Sequence, residues 1–227
     1  MLNESAVQSG VKNRFFAIVD KDSNPQIPVT PGASEFSWDV YHIENYLLDI
    51  SAVRLATAML SGEDESSMSD PEILDKLRQC AEKLVNGLVM EKISSEINDE
   101  FVNALNIRGN PDSVNPEVTL LPAIEKSIGR VRSVETSWSS QKIKERASAY
   151  RTELSVALED GSWISEFPGR KILRRYVDHE FRGKINASFF MNTVLDKMVD
   201  RAVRPPGMES VLNLILVESS EDSGFER

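Results

Sequence analysis

Asp20-Lys21-Asp22 places two carboxylates one residue apart, directly after the apolar run Phe15-Phe-Ala-Ile-Val19. Oxygen ligands of this kind suit a hard divalent cation such as magnesium or manganese. A cation held between them can polarise a phosphoryl oxygen, generate hydroxide and orient an in-line attack. The same spacing also serves as an ordinary turn or helix cap, so the pair alone leaves both roles open. A second group of chemical interest is basic: Arg170, Lys171, Arg174, Arg175, Arg182 and Lys184 crowd one stretch of an otherwise acidic chain. It is either a solvated helix face or a local contact for phosphates.

An acidic pair does chemistry only where the backbone holds it at a rim. The run from Arg14 to Asp20 reads as a strand buried on both faces, as in a parallel sheet covered by helices. The carboxyl end of such a strand opens into the crevice where α/β sheets bind ligands. Pro25, Pro28, Pro31 and Gly32 make 23–34 a loop. Glu35 to Tyr41 alternates apolar and polar residues, as a half-exposed strand does. From Ile43 the period becomes helical, through a turn and a helix that ends near Gly62.

Ser69 or Asp70, followed by Pro71 and Glu72, is a helix start, with a cap, a fixed first φ and acids at the positive dipole end. Leu74, Leu77, Ala81, Leu84, Val85 and Leu88 then recur at helical spacing, and helix continues to about Ile107. Gly109-Asn-Pro111 and Asn115-Pro116 interrupt it, and a long amphipathic stretch from Leu120 to Leu158 follows in one or two helices. Trp163 to Phe167 reads as a short strand. Helices are expected over 171–181, 187–202 and 208–217.

The expected fold class is therefore α/β: a small, mostly parallel sheet flanked by helices, with a large helical insertion. The expected organisation is a partial core over 1–62, the insertion over 63–158, a return to the core with C-terminal helices over 159–217, and a disordered tail over 218–227.

Bulk properties narrow the field. With 227 residues, 41% of them hydrophobic, the chain can bury one sizeable core. A single cysteine, Cys80, excludes a disulfide framework or a zinc ribbon and fits a reducing cytoplasm. No stretch reaches the about 20 apolar residues of a membrane span, and Met1 to Lys12 lacks the pattern of a signal peptide. The net charge of -10 opposes generic nucleic-acid binding, so any such contact is local to the 170–184 stretch. Spaced glycines with Lys-Ser/Thr are absent, so this chain alone is not expected to hydrolyse ATP.

Two families that use such an acidic pair explain little else here. Haloacid-dehalogenase-type phosphatases carry Gly-Thr or Gly-Val after the second aspartate, where this chain has Ser23-Asn24-Pro25. Nucleotide-sugar glycosyltransferases need a nucleotide-binding half upstream, for which the residues before Asp20 are too few.

A third resemblance extends further. Tyr41-His42-Ile43-Glu44-Asn45-Tyr46-Leu47-Leu48-Asp49 is similar to the segment that follows the acidic strand in Toprim-like nucleases associated with AAA-type ATPases in phage defence, relatives of the overcoming-lysogenization-defect enzymes. Phe167-Pro168-Gly169-Arg170-Lys171-Ile172-Leu173 is similar to the Pro-Gly-Lys entry into a later helix of that family. The order of these elements also agrees, so the resemblance covers most of 14–217.

The resemblance implies that Asp20 and Asp22 bind the cation and that Glu44 is a further carboxylate beside them, either a ligand or a group that holds the fold. It implies that Lys171, or Arg170 in its place, stabilises the charge of the transition state. His42 either touches the scissile phosphate or packs and hydrogen-bonds at a strand end; Asn45 and Tyr46 hold the turn.

The implied function is hydrolysis of RNA or DNA phosphodiesters with Mg2+ or Mn2+, beside an AAA-type ATPase. One departure counts against catalysis by this chain alone. The family's upstream glutamate comes before a crossover helix of about a dozen residues, and Glu4 is too near Arg14 for that. A shortened chain, a partner subunit that supplies the missing part, or a domain that has abandoned catalysis would each account for it. The alternative function is a non-catalytic interaction or regulatory module that keeps the fold and binds the ATPase. Its amphipathic helices could support a homo-oligomer or simply close the core.

Overall fold

The computed structural model describes residues 17–21, 35–108, 112 and 114–221. They form a mostly helical chain with a small parallel sheet. Strand β1, Ala17–Val19, pairs in parallel with β2, Glu35–Ser37, in the register Ala17 to Glu35, Ile18 to Phe36 and Val19 to Ser37. A 3-10 turn, Ile43–Leu48, leads into α1, Ile50–Ser61. Then come α2, Asp70–Glu82, α3, Val85–Ala104, α4, Pro116–Ser137, and α5, Ser140–Asp160. The chain finishes with the single turn α6, Trp163–Glu166, and helices α7, Gly169–Phe181, α8, Ala187–Asp200, and α9, Pro206–Glu221.

Local signals account for several boundaries. The Asp49 carboxylate accepts the Ala52 amide at 2.8 Å and caps α1, which Gly62 ends in the left-handed conformation at φ 73°. Glu72 accepts both the amide and the hydroxyl of Ser69, closing the start of α2.

The described residues fall into two compact units, one within Met1–Glu82 and Asp160–Arg227 and the other within Lys83–Glu159. In the first, α1, α2, α7 and α8 pack together, and the 3-10 turn lies against α7. Its centre holds Trp163, Phe167, Tyr176, Phe190, Leu77 and Val53, all essentially inaccessible. A satellite cluster joins Phe36, Trp38, Val40 and Tyr46 to Val211 of α9, so α9 covers one side of the strand pair. In the second unit α3 packs against α4.

Several elements differ from the expectations. β1 is not buried on both faces: Ala17 is exposed, and Ile18 and Val19 are half-buried. β2 stops at Ser37: the Trp38 amide makes a last bond to the Val19 carbonyl at 3.2 Å, and the Trp38 and Val40 side chains enter the satellite cluster. Trp163 to Phe167 is a helical turn, since its carbonyls find partners on the 41–45 segment rather than on a strand. On α2 the buried face is Ile73, Leu77, Cys80 and Ala81, and Leu74 lies outside it.

Helix α2 belongs to the first unit, whereas the insertion was expected to begin at 63. The helix expected over 208–217 begins earlier, at Pro206, and runs through Glu221, into the segment read as a disordered tail. Among the described residues no helix is long and apolar enough to cross a membrane.

Candidate functional site

Asp20 emerges from the end of β1, and His42 follows the end of β2. The parallel pairing brings them together, with His42 Nδ1 and Asp20 Oδ2 3.0 Å apart. Both side chains keep about a third of their surface open, 29% for His42 and 35% for Asp20. The His42 ring meets the Tyr41 ring edge to face, with centroids 4.5 Å apart. His42 is thus a hydrogen-bonding residue at the start of the 3-10 turn rather than at a strand end, and its partner is the first aspartate of the acidic pair. Asp22 lies outside the described residues.

Glu44 sits in the first turn of the 3-10 segment, and its carboxylate is 3.8 Å from the Arg170 guanidinium. An exposed contact of that length contributes at most about 1 kcal/mol. Arg170 and Lys171 occupy the first turn of α7, both exposed.

Asn45 binds the two halves of this site to each other. Its side chain is 3% exposed, so its polar atoms must find protein partners. Nδ2 donates to the carbonyls of Ile164 at 2.7 Å and Phe167 at 2.6 Å. Oδ1 accepts the amides of Gly169 at 3.1 Å and His42 at 3.2 Å. The Tyr41 amide adds a bond to the Ser165 carbonyl at 2.6 Å. The 41–45 segment and the entry to α7 are therefore held as one piece. Gly169 allows the approach, since a Cβ there would stand 2.8 Å from the Asn45 Cα. Beside it, the Tyr46 hydroxyl donates to Asp39, and burial followed by that carboxylate pushes the phenol well above its usual range.

From Arg170 the basic residues continue along α7. Arg174 and Arg175 are exposed, while Ile172, Leu173, Tyr176 and Val177 on the opposite side are buried. Amphipathic spacing alone thus sorts the cations onto one open face. Arg182, which ends α7 in the left-handed conformation, and Lys184 are also exposed.

Among the described residues no group of three or more His, Cys, Asp and Glu side chains is placed to hold a metal ion. The donors the site does offer, Asp20 and Glu44, are carboxylate oxygens, which is the chemistry a hard cation takes. Neither carboxylate is idle, Asp20 being engaged by His42 and Glu44 facing Arg170. The sequence offers Asp20, Glu44, Arg170 and Lys171 as candidates but not the bond between His42 and Asp20. A separation of 22 positions puts that pair beyond any local pattern, and the parallel pairing of the strands closes the gap.

Fold and site together define a mostly helical α/β chain with an acid and histidine pair formed between the end of β1 and the start of the 3-10 turn. No protein-family model matches the sequence, and no curated protein or solved structure matches it either.

Proposed function

We propose that this chain is a nuclease domain of an ATPase-linked phage-defence system, hydrolysing RNA or DNA phosphodiesters in the cytoplasm with Mg2+ or Mn2+. The observation that carries this is the bridge made by Asn45. The two segments that resemble the Toprim-like nucleases lie more than a hundred residues apart in sequence, and Asn45 ties one directly to the other through Phe167 and Gly169. His42, which meets Asp20, and Glu44, which faces Arg170, stand just before Asn45 in sequence, and the open basic face of α7 begins at the same tie.

In this function Asp20, Asp22 and Glu44 would hold the cation, which when bound supplies charge neutralisation and an activated water. His42 fixes the orientation of the Asp20 carboxylate. Arg170 and Lys171 offer positive charge to the phosphate oxygens, with Arg170 forming two N–H contacts where its fork is free to turn from Glu44. Arg174 and Arg175 would attract the flanking backbone.

Titration of the protein with Mg2+ and Mn2+ tests the proposal, comparing the wild type with the Asp20→Ala, Asp22→Ala double variant. Loss of cation binding in the variant is expected, and unchanged affinity removes the metal site.

The second function, a non-catalytic module that binds a partner ATPase, is favoured by one feature. Exposed Ile43, Leu195 and Val199 frame an apolar cavity of about 280 Å3 beside Glu44, a surface that phosphodiester hydrolysis does not require. Cation binding without nucleic-acid cleavage by the wild type, alone or with the ATPase, would select it.

A further inference from the structure

In the second unit the chain leaving α3 meets α4 at a small basic cavity of about 330 Å3, lined by Asn106, Arg108, Ala123, Lys126 and Arg130. Its size is near the lower end of the range that holds small ligands, about 300–1,000 Å3. Asn106 organises it. Arg108 Nε donates to the Asn106 side-chain oxygen at 3.1 Å, and Arg130 Nη2 donates to the Asn106 backbone oxygen at 2.6 Å. One residue thus draws two guanidinium groups together, each with further N–H groups left to give.

Among the described residues no carboxylate lines this cavity. Lys126 and Arg130 are one helical turn apart, a like-charge spacing that costs a few tenths of a kcal/mol. At three and four residues on either side of them stand only Pro122, Ala123, Gly129, Ser127, Ser133 and Val134, so helical spacing brings no acid to relieve the repulsion. Three other cations of the same unit are paired, Lys92 with Glu153, Lys142 with Glu100 and Arg146 with Glu96, while exposed cations such as Lys83 and Lys144 stand singly rather than gathered at a cavity. In a chain whose acids outnumber its bases, 36 to 26, three bases around one acid-free cavity call for an anion. Capping the exit of α3 accounts for Arg130 but gives no role to Lys126 or to the unspent donors of Arg108.

We propose that this cavity binds the phosphodiester backbone of a nucleic acid strand, with Arg108, Lys126 and Arg130 as its phosphate ligands. Paired guanidinium forks match phosphate oxygens, and a lysine adds a point charge beside them. The choice of nucleic acid over another phosphate ester rests on the nuclease function proposed above; the anion site stands on its own geometry.

The test is fluorescence anisotropy of a labelled single-stranded oligonucleotide with the full chain in EDTA, titrated over a range of salt. EDTA keeps any divalent cation off Asp20, and the contribution of the basic face of α7 is common to all the variants compared. Three phosphate contacts contribute about -2 to the slope of log K against log salt, at about 0.7 per contact. Arg108→Glu with Lys126→Glu is expected to weaken binding on the order of tenfold and to flatten the slope by about 1.4. Arg108→Lys with Lys126→Arg should retain both, and thermal melting checks that each variant is folded. The Arg108→Glu, Lys126→Glu variant is expected to bind Mn2+ as the wild type does in a separate titration without EDTA, so failure of the metal site and failure of this one are told apart. Unchanged affinity and slope in the Glu variant overturn the proposal. So does competition by inorganic phosphate or a nucleoside monophosphate at the oligonucleotide's own concentration, which would mark a site for a small phosphate ester.

Discussion

A single buried amide carries much of the site's geometry. Asn45 satisfies two carbonyls and two amides, and removing its side chain leaves those groups without their partner in an interior that excludes water. An unsatisfied buried polar group costs about 1–3 kcal/mol, so Asn45→Ala should lower the stability of the fold by several kcal/mol in urea unfolding. A loss below 1 kcal/mol would show that the bridge is not structural. Gly169→Ala probes the same contact from the other side. The new methyl would press on the Asn45 backbone, which cannot rotate away as a side-chain tip can. Overpacking of this kind costs about 1–3 kcal/mol, and manganese affinity should fall with it if the cation site depends on the 41–45 segment. The residues of both motifs could be read from the sequence, but their partnership could not, because nothing in Asn45 or Gly169 by itself says which distant segment it meets.

Between elements, the contact of α2 with α7 shows how charge closes an apolar seam. Lys76 Nζ donates to Glu180 Oε2 at 2.7 Å, and His179 Nδ1 stands 3.0 Å from the other oxygen. Burial alone pushes the Glu180 carboxyl up, but the hydrogen bonds and charges of Lys76 and His179 outweigh it, and the net shift is downward. A carboxyl lowered in the fold adds stability above its unfolded value, about 4.3, and loses it as pH falls through the folded value. Glu180→Gln should therefore lower the melting temperature at neutral pH, and the gap to the wild type should close once the medium is more acidic than the glutamate range. A gap that persists in acid would assign the effect to packing.

Helices such as α2 and α7 were legible because apolar residues at helical spacing need a buried face. The turn at Trp163–Glu166 was not, because four residues fit either period and the deciding bonds come from Tyr41 and Asn45. The early start placed on the helical insertion has a similar cause: α2 and α3 carry the same kind of stripe, and only packing shows that α2 belongs with α1 and α7.

For the molecule as a whole, burial is distributed unevenly. Every one of the largest fully buried side chains lies in the first unit. In the second, the long helix α4 buries only Ser127, whose hydroxyl donates to the Ala104 carbonyl at 2.7 Å, and it exposes Val118, Leu121 and Ile128. Pro122 also removes one hydrogen bond from the interior of that helix. Local opening is easiest where few apolar contacts must be broken and backbone bonds face water. Native-state amide exchange should accordingly be slowest in α1, α7 and α8 and fastest, among the long helices, in α4. If Arg108, Lys126 and Arg130 take a phosphate, an oligonucleotide should slow exchange around Asn106 and along the 123–130 part of α4, because a ligand that binds only the closed form stabilises it by mass action. Equal protection of α4 and α7 without ligand would contradict this account of the second unit, since it would require α4 to draw stability from contacts that its open surface does not make.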